Sequence, residues 1–321
     1  MNIVSYQSNL PSMAVASEEG IVLEGGPKGM PLELTCRWPK DSEPIGFVVF
    51  CHGLGSSRRQ FAELTESWSA QGYLTVMPTF EDSIGSVAAT EPDLGIDPAE
   101  AETLNWVSDK KILARMFEIL HSPRYWISRI DAVRLVIDQM EFILESTSGV
   151  PSNIIPCGVG GHSFGAYTSQ LLGGVTIDLA EGGATQFRDP RVKAVALLSA
   201  QGRDQQGLRD GSWDTLACPM INITGTLDQG AKDQGVEWKR EPYELAPNGN
   251  RYLAVLEAGD HTLGGLPRLG RANDNAYQRA AVAQLTLAFW DAHLLGDADA
   301  KSWLTSITDR VGKCPMTFEW K

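Results

Sequence analysis

Short apolar runs alternate along the chain with longer segments of helical periodicity. Two early runs, residues 20–25 and 30–39, predict an antiparallel hairpin. Six later apolar runs predict buried strands at residues 46–53, 72–80, 153–161, 192–200, 218–225 and 251–259. Alternation of this kind is typical of a parallel sheet wrapped by helices. We therefore expect an α/β fold with a mostly parallel sheet of eight strands.

The segment 81–123 is longer than a simple connection needs, and we expect it to form a small helical cap. Asp97 as N-cap, Pro98 in the first turn and Glu100 predict the start of a helix that ends before Pro123. Core packing is the simpler interpretation of its apolar stripe, although the helix could also roof a binding cleft. Further helices are predicted at residues 125–145 and 277–295.

The length of the chain limits its domain organisation, and its charge limits the partners that we expect. Its 321 residues allow one large α/β domain spanning 1–321. The 40 acidic and 27 basic residues give a net charge of −13, which repels phosphate groups. Nucleic acid and anionic membranes are therefore not expected as partners, and no apolar run is long enough to predict a membrane span.

The five cysteines are odd in number and scattered, with no C-x-x-C pair. The amino terminus lacks the basic start and the apolar core of a signal peptide. We therefore expect free thiols and a cytoplasmic location.

A G-x-S-x-G motif at Gly161–Gly165 follows a predicted strand and precedes a predicted helix. A sharp turn between strand and helix exposes its serine above the positive end of the helix dipole, so we expect Ser163 to be a nucleophile. The alternative is a small residue in a glycine-rich turn. Gly158 and Gly160 begin a dinucleotide-binding fingerprint whose last glycine is replaced by Ser163, so a nucleotide site is not expected.

A serine nucleophile needs a base, and the chain has five histidines. Two lie in glycine turns and two near helix ends, where structural roles are more common: His52, His162, His121 and His293. His261 instead lies in a glycine-rich loop after the last predicted strand. We therefore expect His261 to be the base.

Asp228 lies after a predicted strand and between Ser163 and His261 in sequence. This gives the order Ser, Asp, His and predicts Asp228 as the acid that orients His261. Weaker candidates for that role are Asp260, Asp233, Asp204 and Glu257. For the oxyanion donors we expect the backbone N–H groups of Leu54 and Phe164.

Taken together, "VVFCHGLGSSRRQF", "GHSFGA", "GTLD", "GDH" and "WISRIDAVRLVIDQM" resemble the α/β-hydrolase superfamily. Within it, the chain is similar to the dienelactone-hydrolase-like proteins and to bacterial relatives of platelet-activating-factor acetylhydrolase. The resemblance covers about residues 20–295 and implies hydrolysis of carboxylic esters through an acyl-enzyme, without metal or organic cofactor. Dienelactone hydrolases proper use a cysteine nucleophile, so Ser163 argues against lactone specificity.

We therefore expect a serine carboxylesterase that acts on a small ester. An acyltransferase with the same triad and a non-catalytic ligand-binding member of the fold are the alternatives. Aromatic residues in the predicted loops favour an apolar or aromatic ester, unless they pack the cap instead. These residues are Phe80, Trp106, Phe117, Trp126 and Trp213.

Overall fold

The computed structural model describes residues 5–149, 155–179, 183–267, 270 and 273–321. Their strands are β1 (Val15–Leu23), β2 (Leu32–Pro39), β3 (Gly46–Cys51), β4 (Tyr73–Pro78), β5 (Cys157–His162), β6 (Thr176–Leu179), β7 (Gly183–Gln186), β8 (Val192–Leu198), β9 (Met220–Gly225), β10 (Arg251–Leu256), β11 (Arg310–Val311) and β12 (Cys314–Trp320). All but β6 and β7 join one mixed sheet, in the order β1-β2-β4-β3-β5-β8-β9-β10-β12-β11.

The six central strands, β4 to β10 in that order, are parallel to one another. They correspond to the six predicted runs, although residues 153 and 154 of one run lie outside the described residues. The predicted hairpin is also present, as the antiparallel pair β1 and β2. An α/β fold with a mostly parallel sheet is therefore confirmed.

The prediction of eight strands is wrong, because the described residues already form ten strands of this sheet. The additional strands come from the carboxyl-terminal tail, where β12 pairs antiparallel with β10 and β11 pairs with β12. Cys314 and Met316 are buried while Pro315 and Thr317 are exposed, so β12 has the alternation of a strand with one covered face. It covers the edge that β10 would otherwise expose.

Helices cover both faces of the sheet. They are α1 (Ala62–Ser69), α2 (Ile84–Thr90), α3 (Lys110–Leu120), α4 (Pro123–Asp138), α5 (Met140–Thr147), α6 (Phe164–Gly173), α7 (Val236–Glu244), α8 (Ala276–Leu294) and α9 (Ala298–Ser306). One apolar layer packs α3, α4 and α6 against the sheet, and the other packs α1, α8 and α9. None of the helices in the described ranges combines the length and apolar character needed to cross a bilayer.

Two of the predicted helices differ from those in the structure. The helix predicted to begin after Asp97 begins at Lys110, where the Asp109 carboxylate accepts from the Lys111 and Ile112 N–H groups. The Asp97 carboxylate instead accepts from the Ala99 N–H and closes a local turn. The helix predicted over residues 125–145 is two helices, α4 and α5, separated at position 139.

Candidate active site

Ser163 lies at the turn between β5 and α6, with φ of +53° and ψ of −116°. Its N–H donates to the Leu198 carbonyl on β8 at 2.8 Å, which fixes the turn against the sheet. The flanking glycines permit this approach, since a Cβ at Gly165 would collide with the Cys51 carbonyl and one at Gly161 with the Gly165 backbone. The strained turn thus depends on both glycines of the motif.

Asp228 and His261 follow the adjacent parallel strands β9 and β10, which brings them together at the carboxyl edge of the sheet. His261 Nδ1 lies 2.9 Å from Asp228 Oδ1, while Thr224 Oγ1 donates to Asp228 Oδ2 at 2.8 Å. Asp228 is fully buried, whereas the His261 side chain is 41% exposed. Asp228 therefore fixes the orientation of the imidazole through Nδ1, while the ring remains accessible to solvent.

The electrostatic surroundings of Asp228 favour its ionised form. Burial alone would raise the pKa of this carboxyl, but the Lys239 ammonium and hydrogen bonds from His261 and Ser199 lower the pKa well below its usual range. The Lys239 Nζ to Asp228 Oδ1 distance is 3.7 Å. Asp228 is consequently a carboxylate at neutral pH and can stabilise a protonated His261.

The loop after β3 carries Leu54 and is held from behind by Arg129 of α4. Arg129 donates to the His52 carbonyl at 2.7 Å and to the Gly53 carbonyl at 3.3 Å. In a trans peptide the N–H points opposite to the carbonyl of the preceding residue, so the Leu54 N–H points away from Arg129. Phe164 is the first residue of α6, where N–H groups lack intrahelical acceptors.

Arg129 is itself fixed from several directions. Its guanidinium forms a bidentate pair with Asp82, and both side chains are fully buried. It also lies 4.3 Å from the ring centroid of Phe80 and 4.2 Å from that of Phe164. One buried cation therefore contacts both segments that carry the expected oxyanion donors.

Two further histidines near Ser163 serve structure. His52 donates from Nδ1 to the Gly53 carbonyl at 2.6 Å and accepts at Nε2 from Phe80 N at 3.0 Å. His162 Nε2 lies 2.7 Å from the His261 carbonyl and so supports the loop of that residue. Burial, with Arg129 beside His52 and His261 beside His162, lowers the pKa of each ring to about 3. Both rings are neutral at physiological pH.

Ser163, His261 and Leu54 line one cavity of about 420 Å³. One wall is apolar and comes largely from the segment 81–123; its side chains are Ile84, Ala101, Leu104, Trp106, Val107, Leu113, Phe117 and Leu120. The rest of the lining is more polar and includes Gln60, Gln201, Gln205 and Gln229. The cavity therefore combines an apolar surface with hydrogen-bonding groups.

The five aromatic residues expected around a substrate divide into two groups. Trp106 and Phe117 lie on the apolar wall. The other three are core side chains: Phe80 contacts Arg129, Trp126 donates to the Leu120 carbonyl, and Trp213 donates to Gln170 Oε1.

Sequence reasoning missed Arg129, Ser199 and Lys239, which all contact the expected catalytic groups or their loops. Arg129 had a signal, because it lies three residues after Trp126 and four before Val133, on the apolar face of a helix. Ser199 follows β8 at the same edge of the sheet as Ser163 follows β5. Lys239 had no such signal in the sequence, because its segment "VEWKREPYE" is mostly charged.

No protein-family model matches the chain, and a search of curated proteins finds no significantly similar sequence. What the protein does must therefore be inferred from the chemistry of the residues around the cavity.

Proposed function

We propose that this protein is a serine hydrolase of the α/β-hydrolase fold that cleaves carboxylic esters through an acyl-enzyme. The observation that carries the proposal is the left-handed Ser163 turn, which faces the same cavity as His261, the residue that Asp228 holds at Nδ1. A serine presented between strand and helix, with an oriented imidazole beside the same cavity, suits nucleophilic catalysis.

In the first half-reaction, Ser163 Oγ attacks the ester carbonyl while His261 Nε2 accepts the hydroxyl proton. Asp228 holds Nδ1–H and stabilises the imidazolium. The N–H groups of Leu54 and Phe164 donate to the tetrahedral oxyanion. Collapse breaks the ester C–O bond, and His261 returns the proton to the departing alcohol.

In the second half-reaction, water replaces the alcohol. His261 accepts a proton from the water as its oxygen attacks the acyl carbonyl. The second tetrahedral species collapses to the free acid, and Ser163 Oγ recovers its proton from His261. No redox change occurs, so these residues are sufficient for the reaction as written.

The cavity favours a small ester with an apolar or aromatic group. A volume of about 420 Å³ lies in the lower part of the range of small-molecule sites. The wall containing Trp106 and Phe117 can bury such a group, while Gln201 and Gln205 offer polar contacts.

Replacing the nucleophile tests the proposal. For Ser163→Ala we expect kcat for a short p-nitrophenyl ester to fall by about 10⁴-fold or more, with an unchanged melting temperature, because the variant lacks the hydroxyl that forms the acyl-enzyme. Covalent labelling by a fluorophosphonate should be lost as well. Ser302→Ala, an exposed change on α9, is the control and should retain both properties. Undiminished hydrolysis or labelling by the Ser163 variant contradicts the proposal.

A further inference from the structure

A buried lysine lies beside the His261–Asp228 pair. Lys239 of α7 is 1% exposed, and its Nζ atom is 3.7 Å from the fully buried Asp228 Oδ1. Burial lowers the pKa of Lys239, and the Asp228 carboxylate opposes that effect. A cation beside the acid of a triad weakens the attraction of that acid for a protonated histidine. Through Asp228, the lysine charge therefore acts on His261, the expected base.

Ser199 connects the lysine to the histidine. Its Oγ accepts from Lys239 Nζ at 2.9 Å and lies 2.8 Å from His261 Nδ1. The same hydroxyl hydrogen-bonds the Asp228 carboxylate. Ser199 is fully buried, so it is a contact between the three groups and does not reach the cavity as a nucleophile would.

The position of both residues is fixed by backbone contacts. Ser199 has a left-handed φ of +56°, and its N–H donates to the Ile223 carbonyl at 2.8 Å. Its own carbonyl accepts from Lys239 Nζ at 3.2 Å. The buried Asn222 side chain donates to the Lys239 carbonyl at 2.9 Å. Ser199 thus holds the ammonium by two contacts, and Asn222 of β9 holds the backbone of Lys239.

Other titratable groups around His261 do not replace this cation. The His162 ring, 4.9 Å away between centroids, is neutral at physiological pH because burial lowers its pKa to about 3. Asp260, the preceding residue, accepts from the N–H and hydroxyl of Thr262. Among the residues that the structure describes, Asp228 and Lys239 are therefore the charges whose contacts reach the Nδ1 side of the ring.

We propose that Lys239 and Ser199 are positioning residues for the base: together they hold Asp228 and His261 in place, and the lysine charge opposes the attraction of Asp228 for the imidazolium. A nearby positive charge disfavours an imidazolium, so removing the lysine charge should favour protonation of the ring. The catalytic part of this inference rests on the proposed function; the coupling of charges does not.

The experiment compares the pH dependence of kcat/KM for the unmodified protein, Lys239→Met and Ser199→Ala, with a short p-nitrophenyl ester. In Lys239→Met the acidic limb should move to higher pH by about one unit, because removing the cation favours protonated His261. Lys193→Met is the matched control, since Lys193 is exposed near the opposite end of β8 from Ser199. Its profile should not move. An acidic limb that stays in place or moves to lower pH in Lys239→Met overturns the proposal.

Ser199→Ala keeps both charges and remains informative if Lys239→Met does not fold. We expect kcat to fall about tenfold with KM nearly unchanged, the loss expected for a hydrogen bond to charged groups. Unchanged kcat in this variant overturns the positioning role.

Histidine titration by NMR separates failure of this inference from failure of the proposed function. With ¹⁵N-labelled histidine and His261→Ala for assignment, the His261 signal should titrate at higher pH in Lys239→Met than in the unmodified protein. An unmodified protein without ester turnover or fluorophosphonate labelling contradicts the proposed function, yet this titration still tests the charge coupling. Identical titration in both proteins overturns the inference.

Discussion

Ser163 and Ser199 share a positive φ angle but have different surroundings. Each follows a parallel strand of the sheet, and their φ values are +53° and +56°. A left-handed non-glycine residue costs on the order of 1–3 kcal/mol and persists only where its surroundings enforce it. Ser163 faces the cavity, whereas Ser199 is buried against Lys239 and His261. The two left-handed residues therefore place one serine at the cavity and the other beside His261.

A methyl group at Gly165 tests how far the Ser163 turn depends on close backbone packing. The new Cβ would collide with the Cys51 carbonyl, so Gly165→Ala should displace the turn and destabilise the protein by about 1–3 kcal/mol. Ester hydrolysis should fall with it. Gly85→Ala in α2 is the matched control, because the space around its Cβ is open; there we expect a change of under about 1 kcal/mol, in the stabilising direction. Equal melting temperatures for the two variants would show that the fold does not depend on the close backbone contact at Gly165.

At the scale of elements, α4 supports the loop after β3 through one buried side chain. Two arginines of this helix pair with consecutive acidic residues: Arg124 with Glu81 and Arg129 with Asp82. The Arg124 side chain is 54% exposed, whereas the Arg129 and Asp82 side chains are fully buried. The same type of ion pair therefore occurs in two environments on one helix.

Replacing each arginine by methionine distinguishes these environments. Arg129→Met leaves the buried Asp82 carboxylate unpaired, which should cost about 3–5 kcal/mol of the free energy of unfolding. Any folded fraction should show kcat lowered by about 10²-fold, because the loop carrying Leu54 loses its support. Arg124→Met removes an exposed pair and should cost at most about 1 kcal/mol. Urea unfolding and kcat measurements check both, and similar losses for the two variants would contradict the assigned role of Arg129.

At the scale of the whole molecule, the ten-stranded sheet separates two apolar layers. The carboxyl-terminal strands β11 and β12 extend the sheet beyond the parallel strands that carry the cavity. All five cysteines lie inside this assembly as free thiols: Cys36, Cys51, Cys157, Cys218 and Cys314. Their reactivity therefore reports on the integrity of the folded protein.

Thiol titration tests this burial. Burial raises the pKa of Cys36, Cys51 and Cys157 to about 12, and that of Cys218 and Cys314 to about 11. The thiolate is the reactive form, so a disulfide reagent at pH 8 should react slowly with the native protein. In denaturant all five thiols should react rapidly. Rapid reaction of a native thiol would mean that the region around it opens readily.

Local rules identified strands better than helix starts. The central strands were readable because a buried parallel strand is a continuous apolar run between turn residues. Asp97 and Asp109 both satisfy the rule for an N-cap, and only Asp109 caps a helix. The tail was not readable as strands, because β12 pairs along most of its length with β10, which is distant in sequence.

The sequence by itself determined the α/β class, the central strands and the order in which Ser163, Asp228 and His261 follow them. These features depend on local periodicity and on turn residues next to strands. Only the tertiary structure decided that Arg129, Ser199 and Lys239 meet around these residues, and that Phe80, Trp126 and Trp213 are core side chains. The physical reason is that burial and charge pairing depend on contacts between residues far apart in the chain, which no local pattern records.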